Sequence, residues 1–297
     1  MYDLAIIGGG PAGVSAGVYA SRKKLKTLFF TEHFGGQSID SADIQNWIGT
    51  ISISGLDLAK SLENHLKAYS ADMVEIKLGE RVENVSYSED GDFFFIKTTD
   101  QVLFQAKTVL VAVGSTRRKL TVQGAIELEN RGITYCASCD GPLFSGQDVA
   151  VIGGGNAGFE SAAQLSAYCK SVTIIHKNDS FKADPTTVEK VLAKPNVKGI
   201  LNAELLSVNG STAVEGLSYK DKVSGETITL PLTGVFVEIG LVPQTSMVKD
   251  LVKLNPIGQI EIDPWTQRTS VKGVWAAGDC TNVKYHQNNI ASGDGVR

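Results

Sequence analysis

Two cysteines and an aspartate stand close together near the middle of the chain, as Cys136, Cys139 and Asp140. A CxxC pair is a dithiol that closes and opens a disulfide, and a neighbouring carboxyl group relays the proton that this exchange consumes or releases. Gly-rich stretches typical of nucleotide loops flank the pair, at residues 8–13 and 153–158. The combination predicts electrons that pass from a bound cofactor out through sulfur.

The CxxC motif has two other interpretations. A structural zinc site needs two further Cys or His ligands at suitable spacing, and neither Cys169, Cys280 nor the histidines form such a pair, so no metal site is predicted. Two inert core thiols are the second alternative, although Gly141-Pro142 after the motif indicates an exposed turn. A redox-active disulfide is the leading interpretation. Cys169 lies within an amphipathic segment and is interpreted as a core residue.

Each Gly-rich stretch lies between an apolar run and an Ala-rich amphipathic segment. Residues 3–13 and 148–158 match almost position for position, and both end in G-x-G-x-x-G. The predicted order is a buried parallel strand, the glycine loop, a helix from Val14 or Phe159, and a second strand. This is the context that a dinucleotide-binding fingerprint requires, because glycines permit close approach and the helix start binds pyrophosphate. Two copies predict two nucleotide sites.

The duplication continues downstream and sets the predicted architecture. Residues 81–106 and 204–230 alternate around polar turns as small antiparallel meanders do, and a buried strand closing on glycine follows each. The sequence predicts an α/β fold with two Rossmann-like three-layer nucleotide-binding domains, each with a β-meander, the second inserted into the first. The predicted boundaries are 1–115 with 246–297 for the first domain and 116–245 for the second.

The composition argues against several classes of protein. The 297 residues suffice for two domains, and 42% hydrophobic with 20% charged residues is typical of a globular protein. A net charge of −4 argues against a nucleic-acid surface. Four cysteines fit a reducing compartment better than a secreted disulfide scaffold. We expect neither a signal peptide nor a membrane-spanning segment, and therefore a cytoplasmic protein without membrane partners.

Six motifs carry a resemblance to a known family. They are Gly8–Gly13, Gly-Gly-Gln at 35–37, Gln-Asn-Trp-Ile-Gly at 45–49, Cys136–Asp140, Gly153–Gly158 and Ala-Ala-Gly-Asp at 276–279. In this order the chain resembles the low-molecular-weight thioredoxin reductase family over its whole length. Its motif details look closest to the reductase core of alkyl hydroperoxide reductase flavoproteins, without their additional thioredoxin-like module. Family members normally continue further, so we expect the natural sequence to extend past Arg297.

The resemblance implies that the first glycine loop binds FAD. The residues implied at the pyrophosphate and the adenosine ribose are Gly8, Gly10, Pro11, Ala12, Gly13 and Glu32. Those implied around the flavin and ribityl chain are Gly36, Gln37, Asn46, Ala112, Gly114, Gly278, Asp279, His286, Gln287 and Asn288. Glu32 also follows the second strand at the spacing of a ribose-binding carboxylate, with an ordinary exposed glutamate as the alternative. His286 stands where the family commonly has Arg or Lys.

The resemblance also implies a direction for the electrons. Cys139 would accept them from the flavin, Cys136 would attack the disulfide of a partner, and Asp140 would serve as acid–base catalyst. The function implied is an FAD-dependent thioredoxin-disulfide reductase. The partner would be thioredoxin, or a glutaredoxin-like protein or peroxiredoxin, and the enzyme a homodimer. A non-turnover flavoprotein redox sensor, whose CxxC reports the flavin state, is the alternative of a different class.

The electron donor is left open by the second glycine loop. The residues implied there for NADPH or NADH are Gly153, Gly155, Asn156, Ala157, Gly158, His176, Lys177 and Lys182. NADPH-dependent members carry arginines that bind the 2′-phosphate, but residues 176–182 contain none, and no acidic residue suited to NADH ends the second strand either. The two lysines attract a phosphate or are ordinary surface lysines. Ferredoxin, which replaces the nucleotide in some members, is the alternative donor.

Overall fold

Two compact units make up the chain. The computed structural model describes residues 1–41, 43–70, 72–88 and 90–297. One unit, here the discontinuous unit, comprises Met1–Thr116 and Val242–Arg297, and the other, the inserted unit, comprises Arg117–Leu241. The predicted assignment of FAD to the first and of a nicotinamide nucleotide to the second stays a prediction. Glu89, within the first predicted meander, lies outside the described residues.

The first part of the discontinuous unit alternates strands and helices and then forms a meander. Its elements are β1 (Tyr2–Ile7), α1 (Pro11–Arg22), β2 (Thr27–Thr31), α2 (Gly55–Ser70), β3 (Val74–Leu78), β4 (Val82–Tyr87), β5 (Phe94–Thr98) and β6 (Leu103–Val111). The chain leaves this unit through β7 (Ser115–Arg117).

The inserted unit repeats the pattern of the first unit. Its elements are β8 (Ile133–Thr134), α3 (Ala137–Asp140), β9 (Asp148–Ile152), α4 (Asn156–Leu165), β10 (Ser171–Ile175), α5 (Pro185–Leu192), β11 (Val197–Ile200), β12 (Ala203–Gly210), β13 (Val214–Asp221), β14 (Thr227–Pro231) and β15 (Gly234–Val237). The chain returns through β16 (Leu241–Pro243), which pairs with β7, and ends with β17 (Val274–Ala276) and α6 (Asn288–Val296).

The sheets have the predicted mixture of parallel and antiparallel pairs. In the discontinuous unit the order is β3-β2-β1-β6-β5-β4, and β17 pairs with β6. Strands β1, β2, β3, β6 and β17 pair in parallel, while β4, β5 and β6 form the antiparallel meander. The inserted unit has a parallel sheet, β11-β10-β9-β15-β8, and a separate meander, β12-β13-β14.

Both faces of each parallel sheet are buried. In β1, Ala5 and Ile7 belong to one apolar core and Ile6 to another. In β9, Val149 likewise packs into a different core from Ala150. Successive strand residues point to opposite faces, so a strand covered on both faces reads as a continuous apolar run. This explains why the runs before the two glycine loops are apolar. Each loop directly follows a central strand and so lies at its carboxyl end.

Candidate active site

The first glycine of each fingerprint has a backbone conformation that other residues rarely adopt. Gly8 has φ of +122° and Gly153 has φ of +130°. A Cβ atom on Gly8 would lie 2.1 Å from the carbonyl oxygen of Ala112, and one on Gly153 would lie 2.1 Å from that of Glu238. Each loop therefore turns directly against the end of a neighbouring parallel strand, β6 or β15, and only glycine permits this turn.

The remaining glycines bring the helix start within reach of a ligand. A Cβ on Gly13 would lie 1.8 Å from the oxygen of Gly8, so a side chain there would push the helix off the loop. Gly10 is the N-cap of α1 and Gly155 that of α4; neither has a side-chain cap, and no atom lies within 4 Å of a Cβ built on either. The free N–H groups of both helix starts thus face open space, which fits a dinucleotide pyrophosphate.

Hydrogen bonds connect separate segments of the discontinuous unit where FAD was predicted. The Gln37 side chain donates to the backbone oxygen of Ser115, and the Ser38 hydroxyl donates to Asn288 Oδ1 at 2.9 Å. The Asn46 side chain donates to Gln287 Oε1 at 3.1 Å. The structure therefore brings the loop after β2 together with the segment that begins α6. A flavin contact of these residues stays a prediction.

Other predicted FAD residues lie at the carboxyl ends of the same sheet. Gly114 and Gly278 both have positive φ, of +65° and +75°. His286 Nδ1 lies 3.4 Å from Asp279 Oδ1, an ion pair if the imidazole is protonated. Glu32 directly follows β2, and its half-exposed carboxylate lies 3.8 Å from Arg81 Nε. The position of Glu32 after the second strand fits ribose binding, which no contact in the structure tests.

The dithiol motif forms a disulfide in the inserted unit. Cys136 and Cys139 are bonded, with their Cα atoms 5.3 Å apart. Cys136 is the N-cap of α3, and the backbone N–H of Cys139 donates to its sulfur at 3.2 Å. A donor at the Cys136 sulfur favours a thiolate there once the disulfide is reduced.

The two other cysteines have unreactive surroundings. Cys169 and Cys280 are free and buried. Burial raises the pKa of the Cys169 thiol to about 11 and, chiefly by the same cause, that of Cys280 to about 12. At neutral pH both therefore remain thiols rather than thiolates, which leaves the exchange chemistry to Cys136 and Cys139.

Asp140 is held beside the disulfide by Thr134. The Thr134 hydroxyl donates to Asp140 Oδ2 and accepts a 3.4 Å hydrogen bond from the N–H of Cys136. Burial raises the pKa of the Asp140 carboxyl, while the Thr134 hydroxyl and the charge of Arg117 partly offset the rise. The carboxyl group thus holds its proton to a higher pH than an ordinary aspartate, as a proton donor to a leaving thiolate requires.

The residues predicted for the second nucleotide differ in what they contact. His176 is buried, its Nδ1 accepts a 3.1 Å hydrogen bond from the N–H of Gly154, and burial lowers its pKa. Asn156 Oδ1 accepts from the N–H of Asp184 at 2.8 Å. Lys177 and Lys182 are exposed, and the Lys182 N–H donates to Gly154 O at 2.7 Å. The Nδ1 atom of His176 therefore supports the glycine loop, and the exposed side chains of Lys177 and Lys182 can reach a phosphate. A nucleotide contact of these residues stays a prediction.

Sequence reasoning missed three polar residues of this unit. They are Thr134, which holds Asp140, and the pair formed by Arg117 and Glu238, whose Nη1 and Oε2 atoms lie 3.8 Å apart. Glu238 directly follows β15, and the Ser161 hydroxyl donates to its Oε1 at 2.7 Å. Burial raises the pKa of Glu238, against the lowering by Ser161 and Arg117. The one available signal was a charged residue in an otherwise apolar run.

Neither a metal centre nor a helical membrane span is found among the described residues. Within them, no group of three or more His, Cys, Asp and Glu side chains is arranged to hold a metal ion. None of the helices in the part of the chain that the structure describes is both long enough and apolar enough to span a membrane.

Comparison with known proteins gives consistent similarities. Residues 2–295 match the family described as "Pyridine nucleotide-disulphide oxidoreductase". The chain is 40% identical over 295 residues to an NADH dehydrogenase of Bacillus subtilis (99% of this chain, 57% of that protein). It is also 40% identical over 297 residues to an alkyl hydroperoxide reductase protein of Escherichia coli (100% of this chain, 56% of that protein). The chain thus spans little more than half the length of these curated relatives.

A solved structure matches over nearly its full length. The thioredoxin reductase of Streptococcus pyogenes has 34% sequence identity and a TM-score of 0.87, covering 100% of this chain and 95% of the other. This agreement confirms the predicted fold class of two Rossmann-like domains.

Proposed function

The chain belongs to the pyridine nucleotide-disulphide oxidoreductase family, as the motif resemblance indicated, and we propose that it reduces the disulfide of a small thioredoxin-like protein. Electrons would pass from a nicotinamide nucleotide through FAD to Cys136 and Cys139. The observation that carries the proposal is the disulfide of these two cysteines, with Asp140, whose pKa burial raises, beside it. FAD, when bound at the first glycine loop, supplies the two electrons that reopen this disulfide.

The exchange with the partner balances in two steps. The Cys136 thiolate attacks one sulfur of the partner disulfide, a mixed disulfide forms, and the partner's other sulfur leaves as a thiolate that takes the Asp140 proton. Cys139, as a thiolate, then attacks the sulfur of Cys136, which releases the second partner thiolate and restores the disulfide. Two electrons leave the chain for each partner disulfide reduced. The Cys139 N–H at 3.2 Å from the Cys136 sulfur supports Cys136 as the attacking thiol.

For the donor, we propose a nicotinamide nucleotide, with NADH the first to test. Residues 176–182 have no arginine to bind a 2′-phosphate, and one curated relative is named an NADH dehydrogenase. Lys177 and Lys182 are exposed beside the second glycine loop and would also attract the phosphate of NADPH. Ferredoxin is the alternative donor.

For the partner, we propose a small protein with a redox-active disulfide of the thioredoxin type. The solved structure from S. pyogenes is that of a thioredoxin reductase, whereas the E. coli relative is named for alkyl hydroperoxide reductase. A thioredoxin and a peroxiredoxin are therefore the two partners to compare.

The proposal is tested by separating flavin reduction from disulfide turnover. Anaerobic titration of the flavin absorbance with NADH, NADPH and reduced ferredoxin identifies the donor, and turnover is then measured with a thioredoxin and with a peroxiredoxin. In Cys136→Ser we expect flavin reduction to remain and turnover to be abolished, because the attacking thiol is gone. Cys169→Ala, which removes a buried free thiol, is the matched control and should retain turnover. Equal loss of both activities in Cys136→Ser, or no turnover by the wild type with any donor, contradicts the proposal.

A further inference from the structure

Arg117 and Glu238 form an ion pair that is not closed by a hydrogen bond. Nη1 of Arg117 lies 3.8 Å from Oε2 of Glu238, which exceeds hydrogen-bond length. The other carboxyl oxygen, Oε1, is fixed by the 2.7 Å hydrogen bond from Ser161 on α4. One oxygen of Glu238 is therefore held by a hydrogen bond, while the other forms an ion pair with Arg117 that is too long for a hydrogen bond.

This pair lies at the nucleotide crevice of the inserted unit. Glu238 directly follows β15, and its N–H donates to the oxygen of Ile152, the last residue of β9, at 2.8 Å. The chain continues from β9 to β10 on one side of the sheet, and β15 lies on the other side. The strand order thus reverses between β9 and β15, and open α/β sheets bind their ligands at such a point.

The charges along the crevice give a bound dinucleotide a direction. Exposed Lys177 and Lys182 lie beyond β10, the side on which a Rossmann fold holds the adenosine half. Glu238 lies on the opposite side, and burial together with the charge of Glu160 on α4 raises its pKa. The lysines would attract the phosphates of a bound dinucleotide, and its nicotinamide ring, which is cationic when oxidised, would then extend toward β15.

The nicotinamide carboxamide matches the pair chemically. It has a carbonyl oxygen that accepts a hydrogen bond and an NH₂ group that donates one. We propose that Arg117 and Glu238 bind this carboxamide, with Arg117 donating to its oxygen and Glu238 accepting from its nitrogen. Both hydrogen bonds would be charge-assisted, and together they would fix the orientation of the ring.

The inference rests on the proposed function in one respect, that the inserted unit binds a nicotinamide nucleotide. Its test is therefore a binding measurement that needs no disulfide chemistry. Dissociation constants of the full chain are measured for NAD⁺, for NADP⁺, for their 3-acetylpyridine analogues, in which a methyl group replaces the NH₂, and for ADP-ribose or its 2′-phosphate, which lack the ring. The variants are Arg117→Met, Glu238→Leu and Glu238→Gln.

The expected result is a loss confined to ligands that carry the contacted group. Glu238→Leu should lower the affinity for whichever of NAD⁺ and NADP⁺ binds more tightly by roughly tenfold or more. The affinities for the acetylpyridine analogue and for the ring-less ligand should stay unchanged. Glu238→Gln retains an acceptor oxygen and should restore most of the affinity. Arg117→Met should weaken the nucleotide and its analogue alike, because both keep the carbonyl. Exposed Arg131→Met and Glu204→Leu are the matched controls.

Several results would overturn the inference. Equal affinity of the wild type for the nucleotide and its acetylpyridine analogue excludes an acceptor at the NH₂ group. Loss of the ring-less ligand in Arg117→Met shows a structural role instead. If Glu238→Leu does not fold, Arg117→Met and the wild-type analogue comparison still decide. If the wild type binds neither nucleotide yet reduces disulfides with ferredoxin, this inference fails and the proposed reductase stands. If the ligands bind as expected but no disulfide is reduced, the inference stands and the proposed reductase fails.

Discussion

The two glycine loops share a backbone and differ in the side chains around it. Gly8 and Gly153 turn at φ of +122° and +130°, and a Cβ on either would meet the carbonyl of a neighbouring strand end at 2.1 Å. At those strand ends stand Ala112 in one unit and Glu238 in the other. The duplicated backbone therefore gives two loops of the kind that binds a dinucleotide, and the proposed difference in ligand depends on the side chains around each loop.

The second strand of each unit shows the same contrast. Glu32 follows β2 with an exposed carboxylate, while His176 follows β10 and is buried, its Nδ1 accepting from the loop N–H of Gly154. The side chain at this position is thus exposed in the first unit, and in the second it is buried and supports the loop. Contacts with a ribose or a nucleotide at either position stay predictions. The inserted unit in addition has β8 and α3, which hold Thr134, Asp140 and the disulfide before its first long strand.

The largest expected effect comes from replacing the N-cap glycine of one loop at a time. Aspartate is a favoured N-cap residue, and no atom within 4 Å obstructs a Cβ at Gly10 or Gly155, so both variants should fold. The new carboxylate caps the free N–H groups and repels a pyrophosphate, a like-charge cost of several kcal/mol. In Gly10→Asp the affinity for FAD should fall by at least roughly a hundredfold. In Gly155→Asp the protein should still bind FAD but should no longer bind the nicotinamide nucleotide.

Flavin absorbance of the purified variants and nucleotide titration measure the two losses separately. Gly10→Ala and Gly155→Ala, which add no charge, are the milder controls. Loss of FAD in Gly155→Asp, or retention of FAD in Gly10→Asp, would break the assignment of the two loops.

A comparable effect, on turnover rather than on binding, is expected from the acid that only the inserted unit has. The pKa of Asp140 is raised by burial, so the group donates a proton below that pKa and loses it as the pH rises through it. Disulfide turnover should therefore fall on the alkaline side, and Asp140→Asn should lower it by roughly 10²-fold or more and remove that limb. Thr134→Val removes the hydroxyl that stabilises the carboxylate, which should move the alkaline limb to higher pH. Because the same hydroxyl holds Asp140 beside the disulfide, turnover should also fall, by roughly tenfold.

Rate profiles against pH with saturating donor provide the measurement. Thr134→Ser keeps the hydroxyl and should restore the wild-type profile. A Thr134→Val profile that is lower at every pH but not displaced would show that Thr134 affects packing only.

The sequence was sufficient for features that short segments encode. Apolar runs before Gly8 and Gly153 predicted both Rossmann units, because a strand buried on two faces and a glycine turn are local properties. The loop-closing contacts of both fingerprints then follow from the same local geometry. The CxxC spacing likewise anticipated the disulfide of Cys136 with Cys139, which the structure contains.

Features that depend on distant pairing were out of reach. Thr134 lies in a two-residue strand that pairs with β15, and a strand this short has no periodic pattern to mark it. Arg117 and Glu238 are far apart in sequence and look like ordinary charges until the sheet order brings them together. His176 was expected from family resemblance to contact the nucleotide; its hydrogen bond to Gly154 depends on how the loop packs on β10.

The smallest expected effect sharpens the contrast between Ala112 and Glu238. Burial raises the pKa of Glu238 above the 4.5 of a free glutamate, so the folded state retains a proton that the unfolded chain releases. Below pH 4.5 both states are protonated and no cost arises; as the pH rises toward and through the folded-state pKa, holding the carboxylate in the fold costs stability.

Glu238→Gln removes this cost, so its free energy of unfolding minus that of the wild type should increase from pH 4.5 to pH 8. Urea denaturation across this range measures the difference, and Glu204→Gln, at an exposed position, should show no such trend. A difference that is constant or falls with pH would mean that Arg117 and Ser161 fully compensate the buried charge, and that Glu238 is an ionised partner of Arg117 throughout this pH range.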